Sequence, residues 1–307
     1  MNGKKPHNGL KTQISRRNVL KTAAGTGIAA AIGLTCNSCA TTGKAVKKGI
    51  TNGRINQSIA YWCFQKYWDL EKTCRVARYL GCKSIELVES KYWPVLKKYD
   101  LICAMNLSHG YDKGMNNPWY QNTCVEKLRQ SIDECSIYEF PNVITFTGFR
   151  EDIPDDVGLR NCVNGYKKII GYAEKKNVNI CLKIINSRVD NEIKAYNGYQ
   201  GDHVDYCIEI IRQVGSPRMK LLFDIYNVQI MDGDITSRIR QYKDYIGHYQ
   251  IAGVPDHDEP DENQEINYKS IMEEIVKTGY TGYVGHEFNP KNNPAISLRN
   301  AVIMCDV

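Results

Sequence analysis

The chain has 307 residues, 42% of them hydrophobic, and a net charge of +6. That supplies enough apolar material for one large α/β core or two smaller ones. Much of the positive excess lies in the first fifty residues, and the remainder is close to balanced, which excludes a basic footprint for nucleic acid.

Residues 1–40 read as a leader rather than as fold. "SRRNVLK" supplies a basic region, "TAAGTGIAAAIGLT" a short apolar one, and small residues follow. The pair Arg16 and Arg17, with Leu20 and Lys21, resembles the twin-arginine class of bacterial export signals, which implies a protein of the periplasm or cell envelope. The apolar run is too short and too rich in Ala and Gly for an anchor helix. Cys39, preceded by Ser38, is a candidate for lipidation and hence for membrane attachment, although Cys36 stands where an apolar residue is usual. Residues 41–53 read as a linker. The cysteines from Cys63 to Cys305 are scattered through apolar segments without a CxxC, so they read as core-packing thiols.

From residue 54 onward, short β-like runs alternate with longer helical ones. "RINQSIAYWCF" precedes a helix over 69–80, "KSIELVES" precedes "YWPVLKKY", and "LICAMNLSHG" precedes "CVEKLRQSIDECSIY". "NVITFTGF" leads to "GLRNCVNGYKKIIGYAEKKN", and "NICLKIINSR" to "DHVDYCIEIIRQVG". "MKLLFDIYNVQI" leads to "ITSRIRQYKDYI", "GHYQIAGV" to "YKSIMEEIVKTGY", and "GYVGHEFNP" to "ISLRNAVIMC". Strands alternating with helices indicate βαβ units and a parallel sheet covered on both faces. Eight such units predict a (β/α)8 TIM barrel over 54–307, an α/β fold in one domain. An open doubly wound sheet is the runner-up, but no GxGxxG follows the first strand.

Barrel chemistry sits at the carboxyl ends of the strands. The polar residues there are Glu86 and Glu89 on the second strand, and Asn106 and His109 on the third. The fifth carries Lys183, Asn186 and Arg188, and the sixth Asp224 and Asn227. The seventh carries His248 and Gln250, and the eighth His286 and Glu287. A charge inside an apolar strand is costly unless it is paired or coordinated. Asp224 in "LLFDIY", Glu287 in "YVGHEF" and Lys183 in "NICLKIIN" are all of that kind. The bland alternative is an internal salt bridge that pins the barrel.

The segments "NSRV", "GSPRMKLLFDIYNVQIMDGD", "IGHYQIAGVP", "QEINY" and "GYTGYVGHEFNP" resemble, in order, the hydroxypyruvate isomerase-like sugar isomerase/epimerase superfamily, whose barrels are of the xylose isomerase type. The resemblance implies a divalent metal held by a Glu, an Asp, a Gln or His and a second Glu on strands five to eight, with the two Glu moving the proton. Carried over, the Asp is Asp224, the Gln is Gln250 and the last Glu is Glu287. The first Glu falls on Lys183. Two more departures follow: Asn227 replaces the family's His, and His257 falls near the substrate-binding Arg. The family site, three carboxylates and a dication, sums to one net negative charge. So do Asp224, Glu287 and Lys183. Lysine cannot ligate while charged, so the implied cofactor is none, or a divalent Mn or Mg held weakly by Asp224, Gln250 and Glu287.

The resemblance implies an isomerase or epimerase acting on a small sugar or hydroxy-keto acid. Glu287 is then the base, and Lys183 the electrophile in place of metal, by hydrogen bonding or, with a lowered pKa, as a Schiff base. Asn186, Arg188, Asn227, His257, His109, His248 and Glu265 are candidates to position substrate. The alternative is a degenerate barrel that binds a carbohydrate without turnover, with aromatics such as Trp62, Trp93 and Trp119 stacking on sugar rings. A metal-dependent phosphodiesterase like the related DNA-repair endonucleases needs more ligands than six His supply.

Overall fold

The computed structural model describes residues 49–188, 196 and 198–307. The leader, the twin-arginine pair and Cys39 lie outside the described residues.

Seven strands pair side by side, all parallel: β1 (Asn56–Ala60), β2 (Ser84–Glu86), β3 (Asn142–Thr145), β4 (Asn179–Lys183), β5 (Met219–Asp224), β6 (Ile246–Ile251) and β7 (Tyr283–His286). Their order is β2-β1-β7-β6-β5-β4-β3, which leaves β2 and β3 as edges. The segment 101–106 fills the gap between them. Ile102 bridges Ser84 and Asn106 bridges Val143, both in parallel sense. Ile85 N donates to Ile102 O at 3.0 Å, Leu87 N to Met105 O at 2.8 Å, and Ile144 N to Asn106 O at 3.0 Å. The ring is therefore closed, and the fold is the expected TIM barrel.

The third predicted strand differs from expectation in being two isolated bridges. Side chains take the backbone groups that a ladder would use. Ala104 N donates to Ser84 Oγ at 2.9 Å, and Ala104 O accepts from Asn142 Nδ2 at 2.9 Å.

Helices alternate with the strands, and the longer ones pack around the outside of the barrel. They are α1 (Tyr61–Phe64), α2 (Leu70–Leu80), α3 (Trp93–Lys98), α4 (Pro118–Tyr138), α5 (Asp155–Lys167) and α6 (Ile170–Lys176). They continue as α7 (Val204–Val214), α8 (Ile225–Met231), α9 (Ile235–Tyr242), α10 (Tyr268–Lys277) and α11 (Pro294–Met304). Local chemistry sets their ends. Asp69 caps α2 by accepting from Lys72 N, and Gly81 ends it at φ 92°, in the left-handed region glycine tolerates. The single helix expected over 158–177 is instead two. It breaks at Lys168 and Ile169, and α5 packs on α7 while α6 packs on α4.

All ten cysteines from Cys63 to Cys305 are buried and unpaired, as core thiols would be. No described helix is long and apolar enough to cross a membrane. Residues 49–53 depart from the linker reading. Ile50 N donates to Leu80 O at 2.8 Å, and the amides of Thr51, Asn52 and Gly53 all donate to the Asp306 carboxylate.

Candidate active site

Four polar side chains meet at the carboxyl-terminal mouth of the barrel. Lys183 ends β4, Asp224 ends β5, Gln250 lies one residue before the end of β6, and Glu287 directly follows β7. Lys183 Nζ donates to Glu287 Oε2 at 2.5 Å and to Gln250 Oε1 at 2.7 Å, and lies 3.2 Å from Asp224 Oδ2. All four are buried.

Burial alone would favour the neutral amine of Lys183. The charges of Glu287 and then Asp224 outweigh it and hold the lysine pKa above its ordinary value. Burial is also the main cause of a raised pKa at Glu287; Lys183 opposes it and Asp224 adds to it. One ammonium cannot neutralise two carboxylates, so the surplus negative charge appears as proton affinity at Glu287. A Schiff base at Lys183 would need a lowered pKa, and the neighbouring carboxylates raise it, which favours hydrogen bonding as the lysine's role.

The neighbours fix the orientation of these groups. Glu287 Oε1 accepts from Trp62 Nε1 at 3.0 Å. Asp224 caps α8 by accepting from Asn227 N at 3.2 Å, and Asn227 Oδ1 accepts from Asn186 N at 2.9 Å and Nδ2 at 2.7 Å. A second polar layer lies deeper in the barrel. Glu86 accepts from Gln250 Nε2 at 2.7 Å and from His248 Nε2 at 2.9 Å, and all three residues are fully buried. Burial raises the Glu86 pKa, but His248 and Gln250 outweigh it and leave it below the ordinary value. Glu86 thus fixes the Gln250 amide with its oxygen toward Lys183. Gly285 makes room for this layer, since a Cβ there would meet Glu86 Oε1 at 2.4 Å.

Above the charged cluster opens a cavity of about 520 Å³, lined by Lys183, Asp224, Asn227, Glu287, His257 and Asn289, and by the aromatics Trp62, Tyr111, Phe146, Tyr196 and Tyr226. His257 adopts φ 59° and lies with its ring centroid 6.4 Å from Trp62, stacked, and 4.5 Å from Tyr226, edge-on.

Several expected site residues lie elsewhere. His109 sits behind Phe146. Its Nδ1 donates to Gly110 O and Lys113 O, its Nε2 accepts from Thr145 Oγ1 at 2.8 Å, and burial pushes its pKa down to about 4. It pins a loop rather than lining the cavity. His248 belongs to the deeper layer, behind Gln250. Glu265 is exposed and lines a separate depression with Gln229 and Asn267, away from the cavity. Arg188 is exposed and outside the cavity lining, and Asn186 lies behind Asn227. Of the aromatics proposed to stack, Trp93 is fully buried and Trp119 stands exposed at the start of α4, so Trp62 alone of those three lines the cavity. Sequence reasoning gave no role to Glu86, although a carboxylate in an apolar strand is the same signal that marked Asp224.

The donor set does not fit a divalent cation. The acceptor atoms of Asp224, Gln250 and Glu287 converge on Lys183 Nζ, which has no lone pair to share. Among the described residues, no group of three or more His, Cys, Asp and Glu side chains is placed to hold a metal ion.

A family model described as xylose isomerase-like TIM barrel matches residues 74–302. The hydroxypyruvate isomerase of Escherichia coli is 38% identical over 93 residues, 30% of this chain and 36% of that protein. The 2-oxo-tetronate isomerase of Cupriavidus necator is 31% identical over 150 residues, 48% of this chain and 55% of that protein. The chain spans about half the length of the curated relatives it matches. Among solved structures, the 3-keto-D-glucoside 4-epimerase of E. coli aligns with a TM-score of 0.67 at 13% identity, covering 82% of this chain and 98% of that one. An AP endonuclease, family 2, of Brucella melitensis aligns with a TM-score of 0.66 at 20% identity, covering 80% and 97%. These last two likenesses concern the fold.

Proposed function

The chain belongs to the xylose isomerase-like TIM barrel family, and from that premise we propose that it is an isomerase of small α-hydroxy carbonyl compounds, sugars or hydroxy-keto acids, that uses Lys183 in place of a metal. The observation that carries this reading is the Lys183 ammonium bonded to Glu287 and Gln250 and ion-paired with Asp224 at the floor of the cavity. Relatives named hydroxypyruvate isomerase and 2-oxo-tetronate isomerase support the reaction class.

Glu287 takes the proton from the carbon next to the carbonyl, and its raised pKa brings its proton affinity closer to that of a working base. Lys183 donates a hydrogen bond to the oxygen that gains charge, in a buried site where such a bond is strong. Glu287 returns the proton to the neighbouring carbon, and the hydroxyl proton crosses to the former carbonyl oxygen. The net change is a shift of hydrogen between adjacent carbons. A firmly protonated lysine makes a poor second acid on the opposite face, which favours isomerisation over epimerisation.

The export reading, with envelope localisation and a tether at Cys39, is part of the same proposal; loss of envelope localisation in an Arg16→Lys, Arg17→Lys double variant tests it. The alternative of binding without turnover is motivated by the same three departures, Lys183, Asn227 and His257. Incubation with hydroxypyruvate in D2O, followed by NMR, separates the two. The isomerase forms the isomeric product, with or without deuterium at carbon, and Glu287→Gln abolishes both product and exchange. Ligand binding with neither product nor exchange by the wild type selects the degenerate barrel.

A further inference from the structure

The cavity is divided by chemistry. Following the ring order, its polar residues come from the strand ends and loops of β4 to β7, whereas Leu87, Leu107, Ile144, Phe146 and Ile185 form an arc from β2 to β4. Ile144, Phe146 and Ile185 belong to a packed apolar cluster separate from the main core, with Leu87 against it. Tyr111 and Tyr196 stand at its edge with ring centroids 4.5 Å apart, and Tyr111 also meets Phe146 edge-on at 6.4 Å. The arc is therefore backed by packed side chains at Ile144, Phe146, Ile185 and Leu87.

It is also open. Trp62, Leu107, Tyr111 and Tyr196 are 41%, 40%, 40% and 38% exposed, and all four line this cavity. Exposed apolar side chains that share one concavity form a contiguous patch, and such a patch marks a binding surface. At about 520 Å³, the cavity falls within the ~300–1,000 Å³ of sites that bury drug-sized ligands. A three- or four-carbon acid with oxygen on every carbon would occupy the charged floor and leave the arc against water.

We propose that the substrate is an α-hydroxy carbonyl compound bearing an apolar, ring-sized substituent, with the reacting carbons on Lys183 and Glu287 and the ring against the arc of Leu87, Leu107, Tyr111 and Phe146. The proposal rests on the reading of the floor given above. An aromatic ring fits this arc better than a second sugar. The hydroxyls of a sugar would face leucine and isoleucine, and burying them unpaired is costly.

Calorimetric titration of the full-length protein with hydroxyacetone, its 3-phenyl derivative and the disaccharide ketose lactulose tests this. The phenyl compound binds about tenfold more tightly than hydroxyacetone, the order expected of one well-packed ring. Tyr111→Ala and Leu107→Ser, both at exposed positions and each checked for folding by circular dichroism, bring that preference toward unity. Equal affinity for the two ketones, tightest binding of lactulose, no saturable binding of the phenyl compound, or a preference untouched by both substitutions overturns the proposal. The readout is binding, so a protein that isomerises nothing can still pass, and a competent isomerase without the preference still fails.

Discussion

Lys183 stands between groups that need a cation, so its variants separate charge from volume. Lys183→Met removes the ammonium and leaves Asp224 and Glu287 facing each other, at a cost of roughly 3–5 kcal/mol at neutral pH. Glu287 already holds its proton above the ordinary range. In the Met variant that proton relieves the repulsion, so the deficit in thermal stability narrows as pH falls. Lys183→Glu restores the ligand set that the resemblance implies. It should melt early alone and gain about 2.7 kcal/mol at Mn²⁺ a hundredfold above its Kd. Tight, stoichiometric Mn²⁺ binding by the wild type in calorimetry would return this site to metal chemistry. A second residue-scale test uses Gly285. Its Cβ position is filled by Glu86, which His248 and Gln250 hold in place, so Gly285→Ala should cost about 1–3 kcal/mol in urea unfolding. At this scale the sequence was legible where burial is expensive. Lys183, Asp224 and Glu287 stand out because apolar strands do not carry charge idly, and Glu86 carried the same mark. Trp62 and Tyr226 were not distinguishable from packing aromatics, since a ring after a strand has the same pattern whether it faces a cavity or a helix. Nor could spacing tell His257, which lines the cavity, from His109, which ties a loop.

Elements were legible wherever periodicity expressed burial. The parallel strands and the helices between them follow from short apolar runs alternating with amphipathic ones, and Asp69 and Gly81 mark the limits of α2 in the sequence itself. The exception is the segment 101–106. Its apolar character says strand, but Ser84 and Asn142 supply the bonds that a ladder would otherwise provide. No local pattern reveals that substitution, because the two side chains belong to β2 and β3. It makes Ser84 a structural keystone of ring closure. Ser84→Ala leaves the buried Ala104 amide without its acceptor, a loss of about 1–3 kcal/mol. Chemical denaturation should report the loss as a lower midpoint with an unchanged slope. A midpoint equal to wild type would mean that the bridges at Ile102 and Asn106 hold the segment by themselves.

A closed barrel must bring the start of its first strand to the end of its last helix, and here one carboxylate makes that junction. β1 pairs with β7, and α11 follows β7 to the carboxyl end. Asp306 accepts from Thr51 N at 2.6 Å, Asn52 N at 2.9 Å and Gly53 N at 2.9 Å, and from Thr51 Oγ1 at 2.9 Å, across more than 250 residues of sequence. Arg54 Nε adds a bond to Val307 O at 2.7 Å. The sequence reads this stretch as linker because Thr, Asn and Gly are turn formers; their partner lies at the far end of the chain. Burial raises the Asp306 pKa, but the three amides outweigh it and hold it below the ordinary 3.8. A carboxylate depressed in the folded state contributes stability that is complete well above its unfolded pKa and is lost as pH falls through the folded one. The contribution of Asp306 is therefore constant near neutrality and fades below 3.8. Asp306→Asn keeps the shape and removes the charge. It should lower stability by about 2 kcal/mol at pH 7, the order of a charged hydrogen bond. Thermal melts of the two proteins should stay a fixed distance apart near neutrality and converge as the acid limit is approached. Parallel curves down to that limit would show that the clasp works through shape alone, without the carboxylate charge.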